Sequence, residues 1–297
     1  MEETVLTLWK KMSIDEYADY EGSSGTRLVK VDGVWWRAVR PFFYRPLFPF
    51  QRLAPEKVKP PFMSRLFGYQ YPVIEGRGPA NSYLNIIVFD DIHDYSLDTL
   101  KKEKRYKIKK ALKNLSVRRI DDHDEFIEGG YPVYQAFFHR TKYKWKNDRI
   151  YRQAYMNWAK NVFRFPQIVI HGAYLQGELS AITISYLVED VIIDAVFFST
   201  TEALKMGSSE ASWHVIREYA AEMRDVRYIY EGPVLGQRGL DDSKIFRGCK
   251  ICCQPAYFSI NPLAQFILET TCKTAYAKLL GMDERQVEEK YYSRKQA

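Results

Sequence analysis

A chain of 297 residues with 46% apolar residues, 22 Tyr and 17 Phe is large enough for two lobes or one large α/β domain, and its composition excludes a disordered polymer. The net charge of +7 and pI of about 9.0 favour anionic partners such as nucleotide cofactors, tRNA or a lipid surface. No apolar run reaches about 18 residues, and the start MEETVLTLWKKMSIDEYADY lacks a signal-peptide layout, so a cytoplasmic location is expected.

In chain order, TRLVKVDGVWWRAVR (26–40) alternates around an Asp-Gly pair and predicts a hairpin. The run PFFYRPLFPFQRLAPEKVKPPF (41–62) is crowded with proline, which argues against helix and central strand. YLNIIVFD predicts another strand, so the first hundred residues read as a β-rich lobe. LDTLKKEKRYKIKKALKN (97–114) predicts a helix with a narrow apolar side of Leu97, Leu100, Ile108 and Leu112 and a basic remainder. That helix either joins two lobes as a solvated element or offers a cationic surface to a phosphate-rich ligand.

The pattern then becomes regular. VRRI is a short strand. Carboxylates cap a helix through DDHDEFIEGGYPVYQAFFHRTKYK, and NDRIYRQAYMNWAKNVF gives a second helix. IVIHGAYL, ELSAITISYL and VIIDAVFFST form an antiparallel meander with turns at Gln-Gly and Glu-Asp. A Gly-Ser-Ser loop precedes an apolar-faced helix carrying Ala211, Val215, Tyr219 and Met223. A strand in RYIYEGPV, a short helix or turn in GLDDSKIFRG, a strand in CCQPAYFSI and one amphipathic C-terminal helix complete the reading.

The loop ALKMGSSEASW (203–213) admits two interpretations. Gly207, Ser208 and Ser209 can be an ordinary helix cap. That is the reading the loop's own residues favour; the alternative is that the unpaired N–H groups at a positive helix end receive a pyrophosphate, with Gly207 allowing close approach, serine hydroxyls donating and Lys205 adding charge. The spacing C-x-x-C in CKICC lacks a second ligand pair nearby, so Cys249, Cys252, Cys253 and Cys272 are expected to be small hydrophobes, some on a strand, with no metal bound. His139, His171 and His214 fall in no triad or metal spacing and are expected to be structural.

The element order from 115 to about 260 resembles the GNAT superfamily of N-acyltransferases. The resemblance implies a mixed α/β sheet flanked by helices, and a loop after the fourth strand with the pattern Q/R-x-x-G-x-G/A that holds the pyrophosphate of acyl-coenzyme A. The aligned run here is LKMGSS: Gly207 matches, Ser209 is small, and Leu204 stands where Gln or Arg is usual. KRYKIKKALKN and YIYEGPVLGQRGLDDSKIFRG further resemble the Fem-type peptidoglycan transferases and their acetyltransferase relatives, with Gly239, Leu240 and Lys244 as matching positions. Those proteins pair a degenerate GNAT-like half with a complete one. The implied organisation is residues 1–114 as a degenerate, β-rich GNAT-like lobe with a basic connecting helix, and 115–297 as the acyltransferase domain.

This resemblance implies transfer of an acyl group, foremost acetyl from acetyl-coenzyme A, to an amine on a small molecule or peptide. The pyrophosphate would sit on the amides of Lys205, Met206, Gly207, Ser208 and Ser209, and the pantetheine arm beside Val196, Phe198, Ser199 and Thr200. Asp194, in a strand where it would share a face with Ile192, Val196 and Phe198, and Glu231 are candidate bases, because burial raises a carboxyl toward a useful range. Phe246 occupies the stretch where a tyrosine acid is usual, so Tyr230 or Tyr257 becomes the candidate acid. Arg238 and Lys244 are candidate substrate contacts. Transfer from aminoacyl-tRNA is the rival, disfavoured because a coiled-coil arm is missing from the sequence; a silent GNAT-fold binding module is the other.

Overall fold

The computed structural model describes residues 9–142 and 147–293, apart from the side chains of Asn147 and Arg238. The strands are β1 (Lys11–Met12), β2 (Leu28–Val31), β3 (Val34–Arg40), β4 (Phe43–Pro46), β5 (Gly68–Pro72), β6 (Ser82–Phe89), β7 (Leu115–Arg119), β8 (Val169–Leu175), β9 (Glu178–Val188), β10 (Val191–Ser199), β11 (Tyr228–Pro233) and β12 (Lys250–Ile260). They fold as two units. One contains the described part of Met1–Ser13 with Phe89–Glu231; the other contains Ile14–Val88 and the described part of Gly232–Ala297. This division departs from the boundary at 114/115 read from the sequence. The reason is β12, which inserts between β5 and β6 and so binds the end of the chain to its beginning.

In the second unit the strand order is β2-β3-β4-β5-β12-β6. The β2–β3 turn is Asp32-Gly33, both at positive φ (47° and 80°), as the Asp-Gly pair predicts. Its core includes Trp36, Tyr71 and Val73, with Tyr69 and Tyr257 packed against them. The proline-rich run does form a strand: β4 sits between β3 and β5. It escapes the proline argument by being four residues long, with Pro46 only at its end. β5 carried no sequence signal. The C-terminal helix is divided in two, Pro262–Thr271 and Lys273–Leu280, meeting at Cys272. Cys252 and Cys253 lie on β12, and all four cysteines are free thiols.

In the first unit the order is β11-β10-β9-β8-β7, with β1 parallel to the far end of β9. The β8–β9–β10 meander is antiparallel and turns at Gln176-Gly177 and at Glu189, as expected. β10 and β11 are parallel, making the sheet mixed. The helix His123–Thr141 is capped by the Asp122 carboxylate, which accepts from Glu125 N. With Arg152–Phe163 it covers one face: Phe198 of β10 meets Tyr134 at 4.9 Å, Phe137 at 4.8 Å and Trp158 at 6.1 Å between ring centroids. The helix Ser208–Ala221 covers the opposite face, where Tyr219 stacks on His171 at 6.0 Å. Faces are assigned from register: Phe198 is opposite Ile182, and His171 is opposite Thr183, the next residue of β9.

The basic helix begins later than predicted, at Lys102, and ends at Asn114. Its buried residues are Ile108 and Ala111, while Leu112 is exposed. Ala111 packs with Leu115 and Ala211, so small residues let this helix lie close to the start of Ser208–Ala221.

Candidate active site

β10 and β11 pair only over Val191–Ile193 and Tyr228–Tyr230. Beyond that point the strands part. β10 is also kinked there, because its register against β9 slips between Asp194 and Val196 and leaves Ala195 without a ladder partner. Residues 194–197 are accordingly less buried than the residues on either side. The last parallel pair is Ile193–Tyr230, so Asp194 and Glu231 are the first residues on each side of the opening. Both follow that pair by one position and lie on the same sheet face. Glu231 is buried.

The bulge corrects one expectation. Asp194 is opposite Ser185 and Val196 is opposite Ile184. Adjacent residues of β9 point to opposite faces, so Asp194 shares a face with Ile192 but not with Val196 or Phe198. Phe198 and Ser199 are both buried. Phe198 belongs to the aromatic cluster under His123–Thr141, and the Ser199 carbonyl accepts from Arg140 Nη1 at 2.7 Å. Of the residues expected beside a pantetheine arm, Val196 and Thr200 retain partial exposure.

The Gly207 corner is a cap and a packing contact. A short helix, Thr201–Lys205, occupies the loop, and Thr200 Oγ1 caps it by accepting from Ala203 N at 3.1 Å. Met206 N donates to Glu202 O at 3.1 Å and Gly207 N to Leu204 O at 3.1 Å. These two amides, expected to face a pyrophosphate, therefore point at the protein's own carbonyls. Ser208 is fully buried, its hydroxyl 2.8 Å from that of Ser199, and Ser209 Oγ donates to Glu210 at 2.9 Å. Gly207 has φ +91°, and a Cβ there would stand 2.8 Å from Ala111 Cβ. Its conformation and the approach of the basic helix both require glycine. Lys205 and Met206 remain exposed at the rim.

The helix Lys102–Asn114 carries seven Lys and Arg and one Glu. Because Ala111 rests on Gly207, this cationic surface lies beside the same corner. Lys107, one turn before Ala111 on the same stripe, pairs with Glu103 at 2.8 Å.

The face carrying Asp194 holds polar groups of which the sequence reading named only His171, as structural. Trp9 Nε1 donates to Ser185 Oγ at 3.2 Å. His171 is buried between Trp9 and Tyr219, and among the described residues neither its ring nitrogens nor Thr183 Oγ1, opposite it, has a hydrogen-bond partner. Burial, aided by the charge of Arg119, pulls the His171 pKa down to about 4. The unfolded chain takes up that proton near pH 6.5 and the folded protein only near 4, so stability is lost as pH falls through this window. His171→Leu is expected to remove about 2 kcal/mol of the destabilisation between pH 7.5 and pH 5. Thermal melts of both proteins at the two pH values check this; equal pH slopes would contradict it.

A second group on the helix Ser208–Ala221 was missed. Tyr95 Oη is 2.9 Å from His214 Nδ1, and His214 Nε2 is 3.2 Å from Glu218 Oε1. Burial pushes Tyr95 up to about 12 and pulls His214 down to about 4. The i,i+4 spacing of His214 and Glu218 was a readable signal, but nothing local placed Tyr95 beside them. Arg217, also buried, lies 3.9 Å over the Phe89 ring.

Lys244 lies on the helix Arg238–Phe246 in the second unit, its Nζ 3.6 Å from where a Cβ on Gly232 would be. The side chain of Arg238 lies outside the described residues. Tyr257 belongs to that unit's aromatic cluster, 5.6 Å from Tyr71. Tyr230 stands at the opening and is half-buried. Among the described residues no group of three His, Cys, Asp or Glu could hold a metal ion, and no helix is long and apolar enough to cross a membrane.

No protein-family model matches the chain, and no curated protein matches it in sequence. Solved structures do match. FemX aligns over 90% of this chain and 96% of its own, with 9% identity and a TM-score of 0.56. The C-terminal domain of a candidate lysylphosphatidylglycerol synthetase from Agrobacterium fabrum aligns over 95% and 98%, with 11% identity and a TM-score of 0.54. A conserved protein of unknown function from Bacteroides thetaiotaomicron aligns over 87% and 96%, with 13% identity and a TM-score of 0.52. What these similarities establish together with the element order of Phe89–Glu231 is the architecture, a mixed sheet flanked by helices: the fold is of the GNAT type.

Proposed function

We propose that the protein is an acyltransferase whose transferred acyl group lies where β10 and β11 part. The observation that carries this reading is the coincidence of that parting with the bulge at Ala195 and with two carboxylates, Asp194 and Glu231, at its first positions. Direct transfer needs an amine that loses a proton, a donor group for the carbonyl oxygen and an acid for the leaving group. Asp194 or Glu231 takes the amine proton from one face of the opening, Tyr230 protonates the leaving group from the opposite face, and backbone freed from the ladder at the bulge supports the oxyanion. The donor is an acyl-coenzyme A, foremost acetyl-coenzyme A, and the acceptor is an amine of a small molecule or peptide.

Two of the five amides expected at the donor's phosphates, those of Met206 and Gly207, are engaged internally, and this reading assigns the main grip to side chains. Lys205 and the exposed lysines of Lys102–Asn114 supply that charge. This same substitution of lysines for amides favours a second reading, in which the donor is an aminoacyl-tRNA and the basic helix follows its backbone.

Binding of acetyl-coenzyme A and of an aminoacyl-tRNA, each titrated across salt concentrations, separates the two. In either case Lys107→Glu with Lys110→Glu is expected to weaken donor binding, and for tRNA to reduce the slope of log K against log salt by about one per lysine. Saturable binding of acetyl-coenzyme A supports the first reading. Tight, steeply salt-dependent binding of tRNA alone supports the second. Donor binding indifferent to these lysines contradicts the proposed grip.

A further inference from the structure

Within the second unit, exposed apolar side chains gather at one end of the sheet. The helix Pro262–Thr271 has no buried residue, and Leu263 is 68% exposed, with Phe266 and Ile267 beside it on the surface. In the segment before β5, Phe62 is 73% exposed and Met63 and Leu66 are exposed with it. Backbone bonds hold these segments together. Asn261 N donates to Phe67 O at 2.7 Å, and Asn261 Nδ2 donates to Arg65 O at 3.2 Å. Gly68 N donates to Phe42 O at 3.3 Å, bringing in the β3–β4 turn with its own exposed Phe42. Seven of the fourteen large apolar side chains exposed among the described residues belong to these three segments, which makes this a patch and not scatter.

The charge of the patch selects its occupant. Residues 40–43, 62–66 and 261–271 contain two arginines, Arg40 and Arg65, and one carboxylate, Glu269, which accepts from Gln265 Nε2 at 2.8 Å. Both arginines are exposed, and the Arg65 guanidinium lies 5.0 Å from the Phe62 ring centre. A second copy of the chain would bring together two surfaces that each carry two arginines against one carboxylate, Glu269, leaving an excess of positive charge in the interface. An anionic lipid surface meets both requirements: aromatic and aliphatic side chains enter the headgroup boundary, and guanidinium groups pair with lipid phosphates.

We propose that this end of the second unit docks the protein onto an anionic membrane surface. The docking is peripheral, and it does not depend on the acyl-transfer reading.

The test is cosedimentation of the full chain with vesicles of phosphatidylcholine alone and with about 30 mol % phosphatidylglycerol added. The wild-type protein is expected to bind the anionic vesicles at least about fivefold more strongly. Leu263→Asp with Phe266→Asp, both on the surface, is expected to weaken that binding about tenfold or more, with an unchanged circular dichroism spectrum. Arg40→Glu with Arg65→Glu is expected to remove the preference for anionic lipid. The proposal is overturned if the wild-type protein ignores anionic vesicles, or if the aspartate variant binds them equally well. It is also overturned if sedimentation velocity finds a dimer that the aspartate variant dissociates while vesicle binding is absent.

Discussion

Replacing Asp194 by Asn and Glu231 by Gln together is expected to slow acyl transfer about a hundredfold or more, close to 3 kcal/mol of transition-state stabilisation. Donor binding is expected to stay within about threefold of wild type, because neither carboxylate is placed against the donor's phosphates. The reason lies in the sheet. The parallel pairing ends at Ile193 and Tyr230, and the next residue on each strand is an acid. Both carboxylates stand at the start of the widening, on one face, with the bulge following immediately on β10. In the proposed reaction an amine at the opening has both carboxylates next to it. Steady-state rates at saturating donor, together with a donor titration, separate the kcat effect from binding. Wild-type kcat in the double variant would remove both carboxylates from the proton transfer.

The second large effect concerns stability. Gly281→Ala is expected to cost roughly 3–5 kcal/mol, seen as a fall in Tm of about 6–15 °C. Gly281 follows the helix Lys273–Leu280 with φ 76° and ψ −169°, a conformation essentially confined to glycine. A Cβ there would collide with the backbone carbonyl of Tyr83 on β6. The surroundings leave little room to relax. Asn85 Nδ2 donates to Met282 O and Asn85 Oδ1 accepts from Met282 N, each at 2.7 Å. Gln70 Nε2 donates to Leu279 O at 2.9 Å, one turn earlier. Gly177→Ala is the comparison. Gly177 also has positive φ (87°), but a Cβ would meet nothing within 4 Å, so only the backbone strain of about 1 kcal/mol applies. Equal losses of stability at the two sites would refute the close approach at Tyr83.

Local chemistry made much of this architecture readable. Asp32-Gly33 and Gln176-Gly177 adopt the positive φ values that their hairpins need, and Asp122 caps its helix as a carboxylate in that position should. The meander followed from β-branched and aromatic alternation. What could not be read depended on distant partners. β12 belongs with β5 and β6 because of pairings that span more than 160 residues, and no local signal assigns it there. The bulge at Ala195 is invisible to a period-two pattern, and it moved Val196 and Phe198 to the face opposite Asp194. At Gly207 the loop's own residues favour a cap over a phosphate cradle, and the cradle reading rests on the order of the surrounding elements. The deciding contact is Ala111, nearly a hundred positions earlier, whose approach explains the glycine and places the lysines beside it. His171 shows the same limit: its burial comes from Trp9 and Tyr219, at opposite ends of the unit's sequence.

A crystal structure of the protein soaked with a non-hydrolysable acyl-coenzyme A, and in parallel with an aminoacyl-nucleotide analogue, tests the account most directly. It predicts an acyl group between β10 and β11 beside Asp194, Ala195 and Glu231, with the phosphates against Lys205 and the lysines of Lys102–Asn114. An acyl group bound away from that opening, or phosphates seated on freed amides of Met206 and Gly207, would contradict it.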